Sequence, residues 1–483
     1  MTRMHVPFEA GLGSHSNLSA SIGRRRRSSR WLAWLWIAAI LIPAGSTAAQ
    51  DGSAATGGAQ LTLVAAVDEA MRTRPSIRGA EAVQRAADAR IAEARSGRMP
   101  RISSGERMTN GNNPVFVFGT LLEQGRFGAA NFEIDALNQP DPITNFRSQI
   151  DLVAPIFDQR QTSTRVAQAQ LAREGADADR EMTEQRIRFD VVASYFGVLV
   201  AEAALGVADD AVLAAESDAK RIRDRVDAGL VVESEHLAVE VQLAEFRQQQ
   251  IEARGSVRSA RATLAKALGA PEGPARILGT ELAERTFAPP PLSELTGTLL
   301  LQHPEYRRAE LEARSRAESI RGAQGEYLPR VDGFASVGNS GNKLVNGSGD
   351  YAVGVSLTFT LFDAGRRHRI DAAEAAKLVA EAARDERANE LRLDVARAYE
   401  DFVAARERLS VTTKAMEQAE EVLRVVRDRY QAGLTTVTEV LRAETALVRS
   451  RLNHLSVRYA HTVGYARLLL ASGALTDVAP FAR

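Results

Sequence analysis

The chain has 483 residues, 45% hydrophobic and 25% charged, which is enough for a sizeable core or several domains and is not a disordered composition. Its 61 basic and 61 acidic residues cancel, which argues against a general nucleic-acid binder working through a basic surface. It contains no cysteine, so disulfides, thiolate metal sites, iron–sulfur clusters, thiol catalysis and a lipid-acylated cysteine are excluded together.

The first element along the chain is an export signal. Arg24–Arg27 and Arg30 precede the apolar run Trp31–Ile42, which is too short to span a bilayer; Pro43 and Gly45 break it, and Thr47-Ala48-Ala49 supplies the small residues of a cleavage site. The expectation is a signal peptide over residues 1–49, with an uncleaved anchor as the alternative, and a short leader over 50–60. No later apolar run approaches spanning length, so no α-helical membrane span is expected in the exported chain.

The remainder is duplicated. Arg74-Pro75 and Met99-Pro100-Arg101 return as His303-Pro304 and Leu328-Pro329-Arg330; Ile156-Phe157-Asp158 returns as Leu361-Phe362-Asp363; Ala228-Gly229-Leu230 returns as Ala432-Gly433-Leu434. Repeats of this size are far beyond solenoid periods. The copies are expected over 61–270 and 292–473, with a Pro/Gly-rich linker at 271–291 and a C-terminal tail at 474–483. Each begins with a helix, Leu61 to Arg98 and Leu292 to Tyr327, and continues through a β region into a very long helix, a short Ala-Gly-Leu turn and a returning helix.

The β regions combine length with alternation. Strands are expected at about 101–109 and 144–157 in the first copy and at about 330–338 and 351–362 in the second, with 111–142 as a loop region. From Phe146, the residues Ser148, Ile150, Leu152, Ala154 and Ile156 alternate with Arg147, Gln149, Asp151, Val153 and Pro155; Tyr351, Val353, Val355, Leu357, Phe359 and Leu361 alternate with small or polar residues. One apolar face over about ten residues fits a transmembrane β-strand. A soluble sheet with one buried face is the alternative, but the helical patterns offer no obvious spare apolar face to cover it. Four strands cannot close a barrel, so a membrane role demands several chains.

The long helices, Asp158–Asp227 and Asp363–Gln431, would each reach about 100 Å at 1.5 Å per residue. Phe402, Leu409, Met416, Leu423 and Tyr430 recur at heptad spacing with Ala405, Thr412, Ala419 and Val426 between them, and Val198 to Val226 repeats the pattern, as in a coiled-coil seam.

In order, spacing and duplication, including Arg225-Val-Asp-Ala-Gly-Leu and its partner Arg429-Tyr-Gln-Ala-Gly-Leu, the chain resembles the TolC-like outer-membrane efflux proteins. The resemblance implies a mainly α fold with a smaller β part, in which duplicated helical hairpins form a tunnel. Four strands per chain would build a trimeric, twelve-stranded barrel in outer-membrane lipid. It implies a passive exit duct, gated at its periplasmic end, for a tripartite efflux or type I secretion system. Its partners would be a periplasmic adaptor and an inner-membrane pump of RND or ABC type. Carried over by position, the gate would involve Tyr430 with Glu235 and its neighbour Ser234, while Glu439 and Arg442 stand where two acidic rings are usual. The second ring is thus reversed in charge. Gly229, Leu230, Gly433 and Leu434 would form the adaptor-docking tips.

Plainer roles exist for the same residues. Thr436-Val-Thr-Glu439 reads as a capping box, Glu235 suits a helix first turn, Tyr430 ends the seam, and Gly229 and Gly433 suit left-handed helix caps. A periplasmic adaptor or secreted coiled-coil scaffold without a channel is the alternative function, and it leaves the alternating strands unexplained. Walker A, HExxH and GxSxG signatures are missing from the sequence, and no cofactor or metal site is expected; His454 and His461, seven apart, lack a carboxylate cluster.

Overall fold

The computed structural model describes residues 60–270, 276–297 and 299–482; the expected signal peptide, residues 50–59 and part of the linker lie outside them. In chain order the elements are α1 (Leu63–Thr73), α2 (Pro75–Ser96), β1 (Arg101–Gly111), α3 (Pro114–Glu123), α4 (Ile134–Asn138), β2 (Ile143–Asp158), α5 (Gln161–Asp227) and α6 (Glu233–Leu268). They continue as α7 (Leu292–Thr296), α8 (Pro304–Gly325), β3 (Arg330–Gly341), β4 (Ser348–Thr358), α9 (Gly365–Gln431), α10 (Val437–Ala471) and α11 (Ala479–Ala482). The chain is thus mainly helical, with one four-stranded antiparallel sheet in the order β1-β2-β3-β4.

Proline explains where the leading helices depart from expectation. The helix read from Leu61 to Arg98 is two, because a proline ring denies the helical region to the residue before it: Arg74 sits at φ −65°, ψ 130°, and Pro75 opens α2. In the second copy α7 already ends at Thr296, before Gly297, and the same proline rule, with His303 at φ −60°, ψ 129°, sets only the start of α8 at Pro304. Residues 111–142 are not simply loop either. Asn113 caps α3 by accepting from the Val115 and Phe116 amides, and Pro114 starts it, so a strong local start signal makes a helix where the composition suggested a connection.

α5 and α9 have 67 residues each, about 100 Å of helix. α5 pairs with α6 and α9 with α10, and α10 also packs on α5, joining the hairpins; nearer the sheet, α2 and α8 flank α5, and α8 reaches α9. Val212, Ala215, Ala219 and Ile222 of the seam are buried with Val239, Leu243 and Phe246 of α6. By length and composition α5 could cross a membrane, contrary to the expectation that no such run follows the leader. Packing accounts for its apolar stretch. Val191, Val192, Tyr195, Phe196 and Val198 are each at most 1% exposed, in a cluster with α1, the end of α6 and residues near the C-terminus.

That cluster is the core of the molecule. Phe287 stacks on Tyr465 at 4.4 Å, and His461 lies over Phe402 at 5.2 Å. The Tyr195 hydroxyl donates to the Leu61 carbonyl at 2.6 Å and accepts from the Thr280 amide at 3.0 Å, fastening the inter-repeat segment to α5. His454 and His461, the weak metal candidates, are buried here; among the described residues no group of three His, Asp or Glu side chains is placed to hold an ion.

Four helix ends share one device. After α5, α6, α9 and α10, glycine adopts φ between 71° and 75°, its amide bonding three residues back and the next amide five residues back. At Gly229 and Gly433 nothing lies within 4 Å of an added Cβ, whereas at Gly473 one would meet His303 Cδ2 at 2.9 Å and Pro304 Cδ at 3.1 Å. Gly433→Ala is therefore expected to cost about 1–2 kcal/mol of backbone strain alone, and Gly473→Ala an additional 1–3 kcal/mol or so from overpacking. Thermal unfolding of the two variants in detergent checks the order; equal shifts would contradict it.

Candidate functional site: an amphipathic sheet and the hairpin ends

Residues opposite one another across strands share a face, so the register sorts the sheet. One face carries the rows Ile102, Leu152, Ala335, Val353 and Ser104, Ile150, Val337, Tyr351, followed by Ala154, Gly333, Val355. The other carries Ser103, Asp151, Ser336, Ala352; then Gly105, Gln149, Gly338, Asp350; then Arg107, Arg147, Ser340, Ser348. The polar face is internally paired: Arg147 donates to both Asp350 oxygens at 2.9 and 3.1 Å and to Ser340 at 2.9 Å. The apolar face is uncovered, with Tyr351 81% and Val353 76% exposed. A bare apolar face on strands of 11 to 16 residues matches a lipid-facing wall.

The strict alternation read through Ile156 does not hold to its end. Pro155 pairs with Asp332 and Phe157 with Val331, so Ile156 is left over as a bulge. Proline has no N–H for the ladder, and the extra residue turns Phe157 toward Val331 and Leu357 on the apolar side. Beyond the sheet, β1 and β4 each keep one backbone edge unpaired among the described residues.

At the far end of the hairpins, Leu230 and Leu434 project from their glycine turns, both exposed. Ser234 is exposed and Glu235 half-buried in the first turn of α6. The Tyr430 hydroxyl is buried and has no hydrogen-bond partner among the described residues, while the Arg225 guanidinium lies 5.5 Å from its ring centre. Burial holds this phenol above its ordinary value; the Arg225 charge opposes the rise and the nearby Glu235 adds to it. The capping box read at Thr436–Glu439 is not formed. The Thr436 side chain makes no cap bond, and the Glu439 carboxylate accepts from Arg442 at 2.8 Å instead, because that arginine lies one turn on along the same face.

The most buried charge here went unread in the sequence. Glu444 of α10, 4% exposed, accepts from Arg427 of α9 at 2.7 Å, and Asp218 of α5 stands 3.9 Å from the same guanidinium. Arg221 pairs with Asp218. Asp218, Arg221 and Arg427, together with Tyr430 and Val440, line a cavity of about 110 Å³ between the hairpins. The legible signal was Glu444 itself, a carboxylate on the apolar stripe Val437, Val440, Leu447.

Long paired helices carrying a sheet built for lipid define a transport conduit of the outer membrane. The family model described as outer membrane efflux protein matches residues 66–270 and 295–474, and the chain belongs to that family. It is accordingly an exit duct in the outer membrane rather than an enzyme. Among relatives, Protein CyaE of Bordetella pertussis is 26% identical over 94% of this chain and 97% of its own length. Alkaline protease secretion protein AprF of Pseudomonas aeruginosa is 25% identical over 69% of this chain and 70% of its own. The solved Campylobacter jejuni CmeC outer membrane channel shares the fold at a TM-score of 0.71 and 14% identity, covering 86% of each chain.

Removing one partner of a buried ion pair strands the other charge. Arg427→Ala is expected to destabilise the α9–α10 hairpin by about 3 kcal/mol, and adding Glu444→Leu to restore most of it. Hydrogen exchange along α9 and α10 reads both; a single variant as protected as the parent would show that Arg427 contributes nothing there.

Proposed function

We propose that three copies of the chain assemble into one duct, a twelve-stranded β-barrel in outer-membrane lipid continued by a helical tunnel through the periplasm. The carrying observation is the open amphipathic sheet. Lipid tolerates no unpaired strand edge, so β4 of one copy must bond to β1 of the next. With an even number of strands per chain that junction is antiparallel all the way round, and β1 and β4 are both 11 residues long. The helices support the same closure: α9 exposes Leu378, Val379 and Val411, and α6, on the other flank, exposes Leu237, Val241 and Ile251. In this reading the halves 61–270 and 292–473 are structural repeats, each supplying two strands and one hairpin, and residues 1–49 are the export signal. The Gly229-Leu230 and Gly433-Leu434 tips dock a periplasmic adaptor, which connects the duct to an inner-membrane pump of RND or ABC type. A relative named for alkaline protease secretion favours a secretion system and a protein cargo.

Fractionation of the expressed precursor, followed by native mass measurement in detergent, tests the assembly. A trimer of the processed chain in the outer membrane is expected; a water-soluble monomer or dimer would sink the barrel.

The gate lies where the hairpins meet. Tyr430 and Glu235 hold it shut, with Ser234 beside them, and rotation of the hairpins opens it without chemistry. A lock worth about 1 kcal/mol corresponds to roughly a fivefold change in open probability. Tyr430→Phe with Glu235→Gln is expected to raise single-channel open probability by that order in planar bilayers, and an unchanged value would remove the lock. Glu439 faces the pore with its charge offset by Arg442. Arg442→Gln should uncover a carboxylate ring and strengthen block by multivalent cations, since such rings concentrate cations in a narrow pore. Unaltered block would leave the pair a surface contact.

A further inference from the structure

The extra residues of the first half fold back over the sheet, at the end away from the helices. α3 crosses the polar face there. A Cβ on Gly111 would meet the Phe116 ring at 3.4 Å; Gln124 Nε2 donates to the Asn145 side chain at 3.0 Å and to the Thr144 carbonyl at 2.9 Å. The Glu123 carboxylate accepts from Asn145 at 3.3 Å and from Ser340 at 3.4 Å, and a Cβ on Gly125 would lie 3.6 Å from Ser348. Gly111, Asn145, Ser340 and Ser348 all belong to the polar face by register. α3 therefore spans from β1 to β4 on the same side as Arg147 and Asp350.

Its own two sides differ sharply. Val117, Thr120 and Gln124 are buried against the sheet, whereas Val115, Phe118 and Leu122, spaced three and four apart, are exposed on the side turned away. Phe118 stands edge-on to Phe127 at 4.7 Å, and Phe127 to Phe132 at 5.1 Å, extending the apolar surface. In a barrel with lipid outside, the polar face lines the lumen, so this stripe points at the barrel axis and cannot be lipid contact.

We propose that the three copies of α3 meet across the lumen, apolar stripe against apolar stripe, and form an exit constriction at the outer mouth, separate from the hairpin gate. The inference rests on the trimeric barrel. Twelve strands about 4.8 Å apart and tilted about 40° close at a radius of about 12 Å. A helix about 10–12 Å across, laid on the inner wall of such a barrel, reaches its axis. Three such helices have nowhere to go but against one another, and the contact removes from water the stripe that one chain leaves bare.

The absence of native cysteine makes the test clean. With Leu122→Cys as the sole cysteine, copper–phenanthroline oxidation of intact cells is expected to link two copies of the chain. With Ser336→Cys as the sole cysteine, on the polar face in mid-sheet, labelling from outside by a bulky polyethylene-glycol maleimide is expected to be roughly tenfold slower than in a background that also carries Val115→Asp and Leu122→Asp, whose charges would part the helices. Tyr351→Cys, on the apolar face, reports the barrel separately, because lipid should shield it. If Tyr351→Cys is shielded but Leu122→Cys stays unlinked, or the Ser336→Cys rates are equal, the constriction is overturned and the barrel stands. If Tyr351→Cys labels freely, the barrel reading fails and takes the constriction with it.

Discussion

The unpaired backbone at the two edges of the sheet is the constraint on which the rest of this molecule depends. An N–H or C=O left without a partner in hydrocarbon costs several kcal/mol, and an 11-residue edge presents a whole row of them. Four strands cannot satisfy that demand alone, so in the proposed barrel each chain depends on its neighbours in a way that no side-chain substitution could mend. In the same proposal, neighbouring copies would cover the exposed valines and leucines along α6 and α9. Isolated helices of 67 residues would flex and fray; ranged side by side with α2, α8 and the returning helices, they become staves.

Duplication supplies this wall economically. Both halves start the helix before their first strand on a proline, run equally long central helices and end each hairpin on a left-handed glycine, so one set of backbone solutions is used twice. Departures from the pattern are local. The first half adds α3 over the sheet, and the second places Glu444 on the stripe of its returning helix. A buried carboxylate on an apolar stripe stabilises little by itself, because desolvation offsets much of the ion pair. What Arg427 and Asp218 gain from it is a fixed relation between the two hairpins.

How far the sequence discloses this depends on whether a feature is local. Heptads marked α5 and α9 because their burial repeats along one helix, and alternation marked β4 because every second residue of Tyr351–Leu357 faces the same way. Pro75 and Pro304 stand inside stretches whose pattern is otherwise that of continuous helix, and the rule for the preceding residue makes each a helix start, whereas the end of α7 at Thr296 falls before Gly297, ahead of any proline. Alternation puts Ile156 on the apolar face, where its Cδ1 would lie 3.7 Å from a Cβ on Gly333, but says nothing of a ladder that loses its N–H at Pro155 and so brings Phe157 to the same side. The Arg427–Glu444 contact joins residues 17 apart across a turn, and the Arg147–Asp350 contact joins residues 203 apart across three strands; neither separation leaves a period. At the hairpin end, residues were matched by position, whereas the partners they choose, such as Arg442 for Glu439, were set by the turn of the helix on which they sit.

The glycine turns at the hairpin tips carry a consequence of another kind. At Gly229 and Gly433 the backbone needs one unusual angle, while the space around the glycine is empty out to 4 Å. Fold and outward appearance are therefore decoupled at these two points: the cap fixes the turn, and Leu230 or Leu434 next to it can be exchanged without disturbing anything beneath. A lineage can drift in these side chains while the wall behind them stays the same. The tips are the part of the molecule most open to evolutionary retailoring because a single dihedral is all the fold requires of them.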